Sequence, residues 1–111
     1  MNKIPYSVRQ GDVLLVEASY RGGIPKDAKQ VNVEGDVILA YGEVTGHAHR
    51  ISAKTPVKYF DRQAEKYLEA LVEAPLGHEE HSIIPILPRD GGYQQAFQVE
   101  DYGVEVRRVA D

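Results

Sequence analysis

The chain has no cysteine among its 111 residues, which excludes a disulfide framework, thiol catalysis, thiolate zinc sites and iron–sulfur clusters together. Any transition metal would have to be held by nitrogen and oxygen. Positive charge is also in short supply: 13 Lys and Arg against 17 Asp and Glu give a net charge of −4, a poor balance for a chain that wraps nucleic acid. The best basic patch, Arg107-Arg108 with Tyr93 and Tyr102, is better explained as a solvated edge strand, so no nucleic-acid partner is expected. No stretch approaches the ~18 consecutive apolar residues of a membrane span. The N-terminal Met1-Asn2-Lys3-Ile4-Pro5-Tyr6 has no apolar segment behind its lysine. No membrane association is therefore expected, and the chain reads as soluble and cytoplasmic. Phosphate loops and dinucleotide fingerprints are missing, since Gly22-Gly23 lacks a following Lys-Ser/Thr. None of Ser7, Ser19, Ser52 and Ser82 sits in a nucleophile-elbow context.

What is present is a β-forming composition. Thirteen Val and seven Ile against seven Leu, with seven Tyr, favour the pleated surface, where branching at Cβ packs well. The length suits one domain, and 42% apolar with 27% charged residues suits a single modest core. Strand candidates are Asp12–Glu17, a short Val31–Val33, Val37–Tyr41, a bent partner over Gly42–Ile51, Val57–Phe60, Ser82–Leu87, Tyr93–Val99 and Val104–Val109. Pro85 marks Ser82–Leu87 as an edge strand, because it cannot donate to a ladder. Residues 63–74 fit a helical stripe and a strand face equally well, with local propensity favouring helix. The expected architecture is an all-β, single-domain sandwich or small barrel of six to seven short strands.

All four histidines fall in two short blocks, His47-Ala48-His49 and His78-Glu79-Glu80-His81, inside about a third of the chain. Independent placement would do this only about once in a hundred sequences. On a strand, residues two apart project from one face with about 6.6 Å between Cα atoms, from which two imidazoles can converge on one ion. Histidines three apart diverge on a strand but converge across a turn, which Gly77 favours. The thermolysin-type zinc helix needs histidines four apart, so that motif is excluded by spacing. Cupins share an H-x-H strand but want a Glu soon after it, and Arg50–Thr55 supplies none.

The blocks Gln10-Gly11-Asp12-Val13-Leu14, Gly42-Glu43-Val44-Thr45-Gly46-His47-Ala48-His49, His78-Glu79-Glu80-His81 and Arg107-Arg108-Val109-Ala110-Asp111 resemble a family of small uncharacterised proteins in bacterial and phage genomes. The resemblance runs from about Arg9 onward. It implies a strand over Lys66–Glu73, and hence a hairpin across Asp61–Glu65 rather than a helix. It carries no activity.

The residues themselves point to a divalent transition metal, zinc first and Fe, Mn or Ni as alternatives. His47, His49 and His81 are the expected core ligands, with His78 as a fourth ligand or support and Glu79 or Glu80 completing the site. Thr45 and Glu43 share the strand face of His47 and His49 if that strand is regular, as orienting hydroxyl and general base respectively. The expected function is a metal-binding β protein that activates water for hydration or hydrolysis of a small-molecule substrate. The alternative is a metal-stabilised structural or interaction module, and the histidines can also form a metal-free polar cluster. Val57–Phe60, as an edge, would offer a second copy of the chain a place to pair as a homo-oligomer.

Overall fold

The computed structural model of the chain describes residues 6–19, 22–42 and 44–96. They form ten short strands: β1 (Ser7–Gln10), β2 (Val13–Glu17), β3 (Lys29–Gln30), β4 (Val37–Tyr41), β5 (Ala48–Ile51), β6 (Val57–Arg62), β7 (Glu65–Ala70), β8 (Ala74–His78), β9 (His81–Ile86) and β10 (Tyr93–Ala96). The architecture is all-β, and the strands lie in two antiparallel sheets of order β1-β2-β10-β7-β6-β3 and β4-β5-β8-β9. Neither sheet closes on itself, so of the two expected forms the barrel is absent, and the strands number ten instead of six or seven. Among the described residues no helix is long and apolar enough to cross a membrane.

The core lies between the sheets. Val8, Val13, Leu15, Leu68 and Tyr93 from the first meet Val37, Leu39, Ile51, Leu76 and Ile86 from the second. At ~1.5–3 kcal/mol for each large apolar side chain taken out of water, this cluster is the main force holding the two sheets together. Strand β2 reads as a continuous apolar run because both of its faces are covered. Val13 and Leu15 point into the shared core, while Leu14 and Val16 pack with Ala96 on the opposite face.

Residues 63–74 resolve in favour of the strand. Arg62 pairs with Glu65 across a two-residue turn in which Gln63 takes φ 56°, and β7 continues to Ala70. The helix favoured by Ala, Glu and Leu loses because β7 can pair on both sides, with β6 and with β10, while burying Tyr67, Leu68 and Ala70. Strand β9 is an edge, as its proline requires. Three local expectations change. The short strand placed at Val31–Val33 falls at Lys29–Gln30. That strand pairs with the far end of β6, Lys29 opposite Asp61 and Gln30 opposite Phe60, so the open edge expected over Val57–Phe60 is shortened at Phe60. The partner of β4 begins only at Ala48, after a turn. The closing strand expected at Val104–Val109 lies outside the described residues.

Candidate metal centre

The two histidine blocks meet in the second sheet, at one end of β5, β8 and β9. Glu79 and Glu80 form a two-residue turn, so His78 and His81 sit directly opposite each other in the β8–β9 register. Side chains so paired lie about 4.5–5.5 Å apart at Cβ, which is why residues three apart converge here. Their ring centroids are 4.6 Å apart. The neighbouring strand contributes His49, whose ring lies 4.3 Å from that of His78 and 5.7 Å from that of His81. One ring nitrogen from each of His49, His78 and His81 can be chosen so that all three lie within 4.8 Å of one another. A tetrahedral ion with ~2.0–2.1 Å bonds needs nitrogens about 3.4 Å apart, a closure within reach of small side-chain rotations.

His47 is placed differently from its expected role. It precedes β5, where its N–H donates to the Val44 carbonyl and its own carbonyl accepts from Gly42, so the pair His47/His49 is not displayed on one regular strand. Its ring meets His78 edge-on at 5.8 Å. Its Nδ1 lies 2.8 Å from Oε2 of Glu80 but is out of line for a hydrogen bond, so the two touch without one. The trio brought together is therefore His49, His78 and His81, with His47 beside it.

The two glutamates of the turn separate in role. Oε1 of Glu79 accepts the Ala48 N–H at 3.0 Å and Oε2 faces Arg50 at 3.4 Å, which pins the turn to β5. The Ala48 N–H first, then the backbone N–H of Glu79 itself, with smaller help from Arg50 and His47, hold the Glu79 carboxyl below its usual range. Glu80 is 56% exposed at its side chain and lines the cleft. Thr45 lies in an exposed turn before the strand, away from the face shared by the ligands, because the regular strand its role required does not extend back to it. Glu43 lies outside the described residues.

The cleft over the histidines has a volume of about 270 Å³. A larger hollow of about 760 Å³ beside β3, β6 and β7 is lined in part by charges paired with one another, Arg62 lying 3.1 Å from Asp27 and 3.6 Å from Glu65. It brings together no comparable donor set.

Gln10 is the member that sequence reasoning missed. It is fully buried, and its amide nitrogen donates to the carbonyls of Leu76 at 2.8 Å and Ser82 at 2.9 Å. Both amide hydrogens are thus committed to acceptors, and the amide oxygen must be the atom that faces Nδ1 of His49 at 2.9 Å. That oxygen can only accept, so Nδ1 of His49 carries the proton and Nε2 carries the lone pair. The signal was present in the sequence as a glutamine at a core-facing position of a Val-x-Gln alternation. His78 is held in the opposite sense: its Nδ1 accepts the Glu80 N–H at 3.0 Å, which puts the proton of the neutral ring on Nε2. For Nε2 of His78 to bind an ion, that hydrogen bond must be given up.

Two glycines let the rings approach the backbone. Gly11 takes φ +55°, and a Cβ there would stand 2.8 Å from Nε2 of His81. A Cβ on Gly42 would stand 3.0 Å from Nε2 of His78.

A family described as a domain of unknown function (DUF8820) matches residues 9–98, and the chain belongs to it. No curated protein and no solved structure matches the sequence.

Proposed function

Starting from membership of a family without an assigned activity, we propose that the protein binds a divalent transition metal through His49, His78 and His81. We further propose that it uses the site to activate water for hydration or hydrolysis of a small substrate. The observation that carries this is the convergence of three imidazoles within 4.8 Å, one of them buried and fixed by Gln10 with Nε2 as its unprotonated nitrogen. Three neutral imidazoles suit zinc first, with iron, manganese or nickel as alternatives, and zinc so held lowers the pKa of a water to about 7.

With its proton held on Nδ1 by Gln10, His49 would ligate through Nε2. His78 joins once its proton moves from Nε2 to Nδ1, which releases the Glu80 amide. Glu80, half-exposed on the cleft wall, is the carboxylate positioned to take up a proton. His47, in contact with Glu80, stands outside the trio, so an ion held by the three histidines would have a position left for water. The resemblance of the motif blocks to bacterial and phage proteins fits a small soluble protein working in the cytoplasm.

The test is metal content of the purified wild type beside His49→Ala and His81→Ala. The wild type should hold close to one equivalent and each variant almost none, all three remaining folded. Less than a tenth of an equivalent in wild type after growth in supplemented medium would refute metal binding and leave a polar histidine cluster. A second reading, a metal-stabilised module without catalysis, requires His47 to leave Glu80 and fill the fourth position. Cobalt-substituted protein separates the two: azide or thiocyanate should shift its visible spectrum, and an unresponsive spectrum would sink the enzyme reading.

A further inference from the structure

The rim of the cleft carries a second message. Residues on β4 alternate, and Val37 and Leu39 are buried in the core. Continued alternation would bury Tyr41 beside them. Instead, the β4–β5 register shifts between Ile38 and Ala40, so that Ala40 packs against the core and Tyr41 turns outward. A bulge re-aims a side chain in this way, and bulges recur beside binding sites. The re-aimed tyrosine is 79% exposed and, with the 51% exposed Val44 and with Ala40, supplies the apolar side chains of the cleft that the imidazoles line.

The charge of the wall is equally selective. Asp12 and Glu80 line the cleft, and among the described residues no lysine or arginine does. The two positive charges of a divalent ion would be balanced by these two carboxylates, so the cleft as a whole offers neither an anionic nor a cationic group on a substrate a net charge to pair with. The volume of about 270 Å³ lies just below the roughly 300 Å³ at which pockets for drug-sized ligands begin.

We infer that the cleft selects a small, uncharged molecule that offers one metal-seeking nitrogen or oxygen beside a flat apolar group, and that Tyr41 and Val44 bind the apolar group. The inference rests on the metal reading above and specifies its substrate class. A flat ring laid on Tyr41 keeps one face on the aromatic surface and leaves its polar end directed at the histidines.

Cobalt-loaded protein provides the test, with binding followed in the visible bands. Above the pKa of their conjugate acids, imidazole and 4-phenylimidazole are uncharged probes with the same donor atom, and benzoate is an anionic probe carrying the same phenyl ring. In the wild type, 4-phenylimidazole should bind about tenfold or more tightly than imidazole, and benzoate should bind more weakly than 4-phenylimidazole. Tyr41→Ala combined with Val44→Ser should cut the phenyl preference below about threefold and leave the imidazole affinity unchanged, since exposed positions contribute little to folding. Equal affinity for the two imidazoles in wild type, or a preference untouched by the double substitution, overturns this inference while the metal reading stands. Failure of the protein to hold cobalt overturns both.

Discussion

Gln10 offers a test of the centre that does not depend on knowing a reaction. Replacing it with leucine makes the side chain apolar at similar size, and deprives the Leu76 and Ser82 carbonyls and Nδ1 of His49 of their shared partner. An orphaned buried polar group costs ~1–3 kcal/mol, and a carbonyl that keeps another partner costs less, so Gln10→Leu should destabilise the fold by about 2–4 kcal/mol. Against a typical total of ~5–15 kcal/mol the variant still folds. With nothing to hold the proton on Nδ1, zinc affinity should fall ~10–100-fold, the usual effect of losing a partner that orients a ligand. Gln10→Glu separates the two effects. A carboxylate still accepts from Nδ1 of His49 but offers the two carbonyls no hydrogen, so stability should fall while zinc affinity stays within a fewfold of wild type. Denaturant melts measure the first quantity, and competition with a chromophoric chelator measures the second. Long-range nitrogen–proton correlation spectra of the metal-free protein report directly which nitrogen of His49 is protonated. A wild-type spectrum with the proton on Nε2, or equal zinc affinities for the Leu and Glu variants, would refute the reasoning.

Three further outcomes follow from the geometry. Gly11→Ala places a methyl 2.8 Å from Nε2 of His81 at φ +55°, so it should cost about 1–2 kcal/mol in backbone strain and also weaken zinc binding, measured by thermal melts and zinc titration. Glu79→Ala removes the acceptor of the Ala48 N–H and should lower the melting temperature, whereas Glu80→Ala, at an exposed position, should change stability by no more than about 0.5 kcal/mol. Equal melting temperatures for these two variants would contradict the division of roles within the turn. The Tyr93 hydroxyl donates to the Leu87 carbonyl, and burial, with a smaller push from Tyr6, raises its pKa from 10.0 to about 12. A pKa raised in the folded state means that its contribution to stability is complete below pH 10 and is lost as the pH climbs toward 12. Ultraviolet titration should show a late phenolate step that Tyr93→Phe removes.

The sequence exposed those features in which residue type and periodicity agree. Val13–Val16, Val37–Leu39 and the Pro85 edge all read directly as strands, and the four histidines stood out by position alone. The strand character of 65–70 came only through resemblance, because Glu, Lys, Leu and Ala favour a helix locally and long-range pairing with β6 and β10 overrides them. Strand β1 was invisible, since Ser7-Val8-Arg9-Gln10 buries one apolar and one polar side chain and resembles a loop. The grouping of His78 with His81 was legible from the turn between them. The separation of His47 from His49 was not, because where a strand starts depends on the turn before it, and that turn holds both Thr45 and His47 outside β5. Nor could sequence divide Glu79 from Glu80, since adjacent turn residues differ only in which way the finished backbone aims them.

Gln10 joins residues 39, 66 and 72 positions away in the chain. This spacing has a kinetic consequence. The β8–β9 hairpin brings His78 and His81 together by closing a two-residue loop, an event on the order of microseconds. The orientation of His49 instead waits on contacts that close most of the chain, the slow steps in proteins of high contact order. A nascent or fragmentary chain therefore has two of the three donors early and the oriented third donor only at the end, so capture of an ion would mark completed folding and not initiate it.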